Sequence, residues 1–291
     1  MHQVVNVRDL GALDGPVLVF GGPYGNLEAT QALRAAADRH RIPASRVICT
    51  GDLAAYGADP QAVTDLIRGW GCAVVMGNCE EALAADAGDC GCNFDAGSAC
   101  AVLSVRWFTA TRRDLDAGAK RWMGTLPRRI DFTLAGTHLA AVHGMASQIA
   151  GWVFASTPAA VKRAEIEAAG ADGIIAGHCG VPFTEILDGR LWHNSGALGM
   201  PANDGTPRVW YSVLTPTAEG IAVAHHPLSY DHAAASARMR ERGYPGEYAA
   251  ALTGGLWPSC DVLPPAERRR TGQALAPAGV LWRPAMAAAA E

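Results

Sequence analysis

Four short motifs stand in order along this chain, each after an apolar run: Gly51-Asp52, Gly77-Asn78, His143-Gly144 and Gly177-His178. The runs read as buried strands, and helical stretches separate them. A chain built this way is confined to α/β layering with a substantially parallel central sheet. It also brings an Asp, an Asn and two His to one edge of a sheet, where the loops of such folds converge.

The local signals fill in the rest. The VLVFG run at 17–21 is a strand that ends in a Gly-Gly-Pro turn, and Asn26 caps a helix reaching about residue 41. Runs at 47–50 and 72–76 are the strands ahead of Asp52 and Asn78. A helix over 60–70 lies between them, with proline in its first turn. Another helix starts near Cys79-Glu80-Glu81, acidic in its first turn as the dipole prefers. Residues 87–127 break the rhythm. They hold Cys90-Gly91-Cys92 and helices around 103–108 and 117–126, and read as a cap inserted over the site. Strands at 130–134 and 139–143, a helix over 158–169 and a strand at 173–176 follow. Hairpin-like strands come next at 183–187, 191–193, 209–214 and 221–225, so the second half is mixed or antiparallel. The spacing gives a body over 1–230 and a helical extension over 231–291, closing in the alanines 287–290. That extension is expected to wrap the body or to pair with a second subunit as a homo-oligomer.

Hydrophobic residues make up 49% and charged residues 18% of the 291 residues, which suits a large core and not disorder. A net charge of −4 gives no footprint for nucleic acid. No apolar stretch approaches the roughly 20 residues of a membrane helix. The start, MHQVVNVRDL, lacks the pattern of a secretory signal, so a cytoplasmic protein is expected. Eight cysteines are then thiols rather than a disulfide framework. Cys49 and Cys72 read as buried hydrophobes, whereas Cys79 and Cys179 each touch a motif. The lone Cys90-Gly91-Cys92 lacks the partners of a complete cysteine metal site.

Asp52, Asn78, His143 and His178 combine a carboxylate, a neutral carbonyl oxygen and two imidazoles. That set suits Mn, Fe or Zn better than Mg or Ca. The four motifs, with Asn194-Ser195-Gly196 after them, resemble the calcineurin-like metallophosphoesterases over about residues 17–225. The resemblance implies a sandwich of two mixed β-sheets flanked by helices. It also implies two metals about 3.5–4 Å apart that clamp a phosphoester. Asp52, Asn78, His143 and His178 match all the ligands of one metal. Where the family has Asp-x-His after the first strand, this chain has Gly22-Pro23-Tyr24. Where the family has Gly-His-x-His, it has Gly177-His178-Cys179-Gly180. Three ligands of the other metal are thus missing, and neutral Tyr24 is a poor substitute for His. Cys79 takes the position of a His thought to contact phosphate or to protonate the leaving group.

The direct expectation is a divergent phosphoesterase acting on a small phosphoester or related anion. One Zn, Fe or Mn ion would serve it, or two if cysteines replace the missing ligands. Cys79 and His143 would act on the substrate, and Tyr24, Asn26 and Cys179 would line its pocket. Two other readings stay open. One is a non-catalytic metal- or anion-binding regulatory protein on the same fold. The other is thiol redox chemistry, with Cys79 acidified at a helix N-terminus and Cys179 resolving it. The turn at 22–26 offers backbone N–H groups to an anion but lacks the Lys-Ser/Thr of a P-loop. Trp152, Trp192 and Trp210 are expected to pack the sandwich. His138, His193, His225 and His226 are expected to be strand or surface histidines.

Overall fold

The apolar runs separate into two sheets packed face to face. The computed structural model describes residues 6–284, and the alanine tract at 287–290 lies outside them. One sheet runs in the order β1 (Val7–Leu13), β5 (Arg129–Leu134), β6 (Thr137–Val142), β7 (Gly173–Ala176), β9 (Arg190–Asn194) and β8 (Phe183–Leu187). The other runs β12 (Gly279–Trp282), β11 (Gly220–Leu228), β10 (Val209–Thr217), β2 (Val17–Phe20), β3 (Val47–Cys49) and β4 (Ala73–Val74). Both are mixed. β2, β3 and β4 pair in parallel, as do β6, β7 and β9, while β5–β6, β8–β9 and β10–β11 are antiparallel.

Alternation along the strands decides what each face meets. Val17, Val19 and Ile48 point between the sheets, against Phe132, Leu139, Ala141, Ile175 and Leu191. Their neighbours Leu18, Phe20, Val47 and Cys49 face outward onto α1 (Leu27–Arg39) and α2 (Pro60–Trp70). Ala140, Val142, Ile174 and Ala176 do the same toward α6 (Ala159–Ala169). Buried on both faces, such strands read as continuous apolar runs, which is why they are visible in the sequence. The ends of α1 and α2 follow local chemistry. Asn26 accepts the Ala29 N–H at the start of α1, and Gly71 takes the left-handed turn after α2.

The remaining helices gather over one end of the sandwich. They are α3 (Asn78–Ala84), α4 (Ala99–Asp114), α5 (Ala117–Met123), α7 (His232–Glu241), α8 (Gly246–Gly254) and the short α9 (Pro265–Arg268). Leu83, Trp107, Phe108 and Met123 share one cluster with Met239, Tyr248 and Leu252, and Cys79 belongs to it. The segment at 87–127 and the C-terminal helices therefore pack on each other. Among the described residues no helix is long and apolar enough to cross a membrane.

Three expectations change. β1 was not expected, because it is a mostly exposed edge strand without a clean alternation. The helix expected at 103–108 runs the full length of α4, started by the Ser98 side chain accepting from Ala101 N–H. The strand expected at 72–76 pairs as β4 only at Ala73–Val74, though Val75 still bonds back to Cys49. A fourth change bears on function: the four motifs do not share one sheet edge. Asp52 and Asn78 follow β3 and β4, whereas His143 and His178 follow β6 and β7, so each sheet supplies two residues.

Candidate metal centre

The loops after β3 and β4 press against each other, and a side chain at Gly51 would start 2.7 Å from the Gly77 nitrogen. Asp52 and His178 both take left-handed backbone, at φ 59° and 24°. Such conformations cost free energy and persist where the surroundings enforce them, characteristically at functional sites.

Four acceptor atoms meet at the mouth between the sheets. The His143 Nδ1 lies 2.6 Å from the Thr50 carbonyl. A carbonyl only accepts, so that nitrogen carries a proton, and in the neutral ring Nε2 presents its lone pair. Nε2 has Asn78 Oδ1 at 2.9 Å, His178 Nδ1 at 3.0 Å and Asp52 Oδ2 at 3.3 Å. The Asn78 amide cannot turn to relieve this. Its nitrogen donates to the Cys90 carbonyl at 2.7 Å and to Cys92 Sγ at 3.2 Å, which aims Oδ1 at His143. The other Asp52 oxygen accepts the Cys79 N–H at 3.2 Å. A crowd of buried acceptors is costly unless a cation sits among them. Donors bonded tetrahedrally at about 2.0–2.2 Å stand about 3.3–3.6 Å apart, so the observed separations are only slightly contracted from that geometry. The set fits one divalent ion. Asp52, His143 and His178 offer atoms within 4.8 Å of one another, and Asn78 adds the fourth.

Without a metal, a proton shared between His143 and Asp52 relieves the crowding, and an ion entering the site would displace it. Burial pushes the Asp52 carboxyl up, but the His143 charge and hydrogen bond outweigh it and bring it down to about 2. Burial pulls the His143 imidazole down, and Asp52 with the Thr50 carbonyl more than restores it, so it stands above its ordinary range. His178 falls to about 3 through burial and the nearby His143. It is the neutral imidazole that metals bind.

Glu80, singled out in the sequence only as an acid in a first helical turn, proves central. Its carboxylate is fully buried and accepts the N–H groups of Asp52 and Leu53 at 2.7 Å each and of Gly77 at 2.9 Å. One side chain thereby ties both motif loops of the second sheet. Its place three residues after Gly77 is that of a capping-box acid, a signal that could have found it. Burial and Asp52 push its pKa up to about 7.

Cys79 does not have the acidified thiol expected of it. A hydrogen bond with Cys92 lowers its pKa, but burial and the Asp52 carboxylate raise it, and the balance lies well above the ordinary thiol range. Nor is Cys179 its partner. Cys79 adjoins Cys92, whose sulfur lies 2.8 Å from that of Cys90, while Cys179 bonds to the Val181 carbonyl and accepts from Asn194. The thiol reading loses both its supports.

Tyr24 and Cys179 do line a cleft beside the four donors, as does Trp152, which was expected to pack the sandwich. Trp192 and Trp210 are buried as expected. Asn26 does not line that cleft. Its oxygen caps α1 and its nitrogen donates to the Gly199 carbonyl, so its amide holds a turn. The Tyr24 ring lies across Gly22, where a side chain would start 2.4 Å from its Cζ, and its hydroxyl lies 3.8 Å from where a Gly180 side chain would begin. One ring thus bridges the two glycines. Arg268, Arg269 and Arg270 are exposed to solvent.

A family model described as the calcineurin-like phosphoesterase superfamily domain matches residues 26–219. A crystal structure of a metallophosphoesterase from Sphaerobacter thermophilus is similar at 24% identity, covering 83% of this chain and 99% of its own, with a TM-score of 0.65. A hypothetical protein from Pyrococcus horikoshii OT3 gives a TM-score of 0.70 at 15% identity, with the same coverages of 83% and 99%. These two likenesses speak for the fold alone. No curated protein matches the sequence.

Proposed function

The chain belongs to the calcineurin-like phosphoesterase superfamily, and from that premise we propose that it is a divergent phosphoesterase working with a single divalent Zn, Fe or Mn ion. Its substrate is a small phosphoester or related anion. The observation that carries this reading is the buried convergence of Asn78, His178 and Asp52 on one His143 nitrogen, the one left free by the Thr50 carbonyl. Such a metal supplies Lewis-acid polarisation of a phosphoryl oxygen and makes nearby water more acidic. The chain's own residues do the rest. Thr50 fixes the His143 tautomer, Cys90 and Cys92 orient the Asn78 amide, and Glu80 holds the loops of Asp52 and Gly77 in place. Tyr24 stands at Gly22 and Gly180, the positions at which the family's other metal would find its ligands. We read that space as given up to the ring.

The same Tyr24 ring favours a second reading, a regulatory protein that keeps one metal and turns nothing over. Metal content decides first, measured by elemental analysis of protein purified without added metal or chelator. One equivalent of Zn, Fe or Mn, lost in His178→Ala, supports a single site. Two equivalents overturn the role given to Tyr24. Metal-dependent hydrolysis of 4-nitrophenyl phosphate, abolished in His143→Ala, then supports the enzyme. One bound metal without turnover on any ester supports the regulatory reading.

A further inference from the structure

The cleft beside the donors is walled by two runs of touching rings. In one, Tyr24 meets Tyr56 edge-on with centroids 4.8 Å apart, and Tyr56 lies 4.7 Å from Tyr248. In the other, Phe94 lies 6.3 Å from Trp152, and Trp152 lies 4.1 Å from the His178 ring. Trp257 adds a seventh ring, with Cζ2 3.6 Å from where a Gly180 side chain would start. These rings come from the sandwich, from the segment at 87–127 and from the C-terminal helices, so the cleft exists only because all three meet. No Lys, Arg, Asp or Glu lines it among the described residues. His178 does line it. Its Nε2 is buried and finds no hydrogen-bond partner among the described residues.

We propose that this cleft receives the organic arm of the ester, and that the arm is a single uncharged aromatic ring. This rests on the phosphoesterase reading and names its substrate class, an aryl phosphoester. Three observations carry it. Stacked and edge-on rings attract another ring beyond the area they bury. With no cation in the wall, a second phosphate or a carboxylate on the arm would be desolvated without a partner. The cleft is partly open to solvent, and its sheltered space is about 60 Å³. A dry cavity that takes up benzene measures about 150 Å³, so the cleft shelters part of one ring, leaves the rest at its mouth and has no sheltered room for a second ring. His178 completes the fit. With Nδ1 turned to the donors, the proton of the neutral ring sits on Nε2. The arm therefore meets one N–H donor, suited to the ester oxygen or to a substituent on the ring.

Non-hydrolysable probes test the cleft apart from the chemistry. Calorimetric titration of the Mn(II)-loaded protein with phenylphosphonate and with methylphosphonate compares two ligands of one head group. Phenylphosphonate is expected to bind at least about tenfold more tightly. Ser259→Trp, a plug at a half-buried lining position, is expected to erase that advantage and leave metal content and methylphosphonate affinity unchanged. Should that variant not fold, Trp257→Ala removes a wall and is expected to cut the advantage as well. Equal affinities in the unsubstituted protein, an advantage that survives the variants, or no binding of either probe overturns the proposal. A phenyl advantage without hydrolysis of phenyl phosphate sinks the phosphoesterase reading and leaves the ring site standing. Hydrolysis without a phenyl advantage does the reverse.

Discussion

Gly22 and Tyr24 depend on each other. Gly22 has φ 44°, and any side chain there would begin 2.4 Å from the Tyr24 ring. Gly22→Ala is expected to destabilise the protein by about 1–3 kcal/mol, since both the backbone and the ring resist it. Adding Tyr24→Ala removes the ring, so the double variant should cost less than the sum of the singles, as a double-mutant cycle in urea would reveal. Strict additivity would mean the ring is not what forbids a side chain. At the same scale, Asp52 and His143 set a pH dependence for metal-free protein. The Asp52 carboxyl is lowered from 3.8 to about 2, so its contribution is present above 3.8 and is lost as pH falls through about 2. His143 is raised from 6.5, so its contribution is present below 6.5 and is lost as pH rises through its folded value. His178, lowered from 6.5 to about 3, works the other way: stability falls as pH drops below 6.5, where the unfolded chain takes a proton that the folded one refuses. Metal-free protein should therefore be most stable near pH 6.5, between the two losses. Metal should remove the alkaline loss by taking the proton's place, and thermal melts with and without metal check this.

The segment at 87–98 acts on the centre through one amide. Cys90 and Cys92 hold the Asn78 nitrogen, and that hold aims its oxygen. Partners of this kind are worth about 10–100-fold in metal affinity. Cys92→Ala is expected to weaken metal binding within that range, with the circular dichroism unchanged, as read by competition with a chelating dye. An unchanged affinity would show that the helix backbone alone positions Asn78. None of this was legible in the sequence, where Cys90-Gly91-Cys92 is a weak motif and its distance from Asn78 is set by folding. What was legible had local causes. The strands ahead of Asp52, His143 and His178 announce themselves by apolar runs, α1 by its Asn26 cap and α2 by Pro60. The division into two sheets was not visible, because parallel pairing joins segments far apart in the chain and leaves no local mark. β1 escaped for a related reason: an edge strand that buries little has little pattern to show.

On the scale of the whole molecule, the ring-lined cleft depends on how firmly the C-terminal helices dock. One network ties them down. Asp59, at the start of α2 and almost fully buried, accepts from Arg238 Nε at 2.6 Å and from Arg242 Nη1 at 3.1 Å. Arg242 also reaches Asp114 at 3.0 Å at the end of α4, where the Tyr244 hydroxyl donates at 3.1 Å. Arg238 and Arg242 are 46% and 38% exposed, so solvent weakens each pair. The buried carboxylate shared by two guanidiniums still makes charge-assisted bonds, which are the stronger kind. Asp59→Ala is expected to cost about 1–3 kcal/mol. The loss should fall where the network acts. Amide hydrogen exchange should quicken in 232–254, the stretch that carries Tyr248, while β3, β6 and β7 keep their protection. Metal content should not change, because the four donors ride on strand ends that Asp59 does not touch. Phenylphosphonate affinity should fall with the loosened wall, and methylphosphonate affinity should not. A uniform rise in exchange, or metal lost along with the helices, would mean that the donors and the cleft are one cooperative unit. The ester's arm would then be sensed at the metal itself.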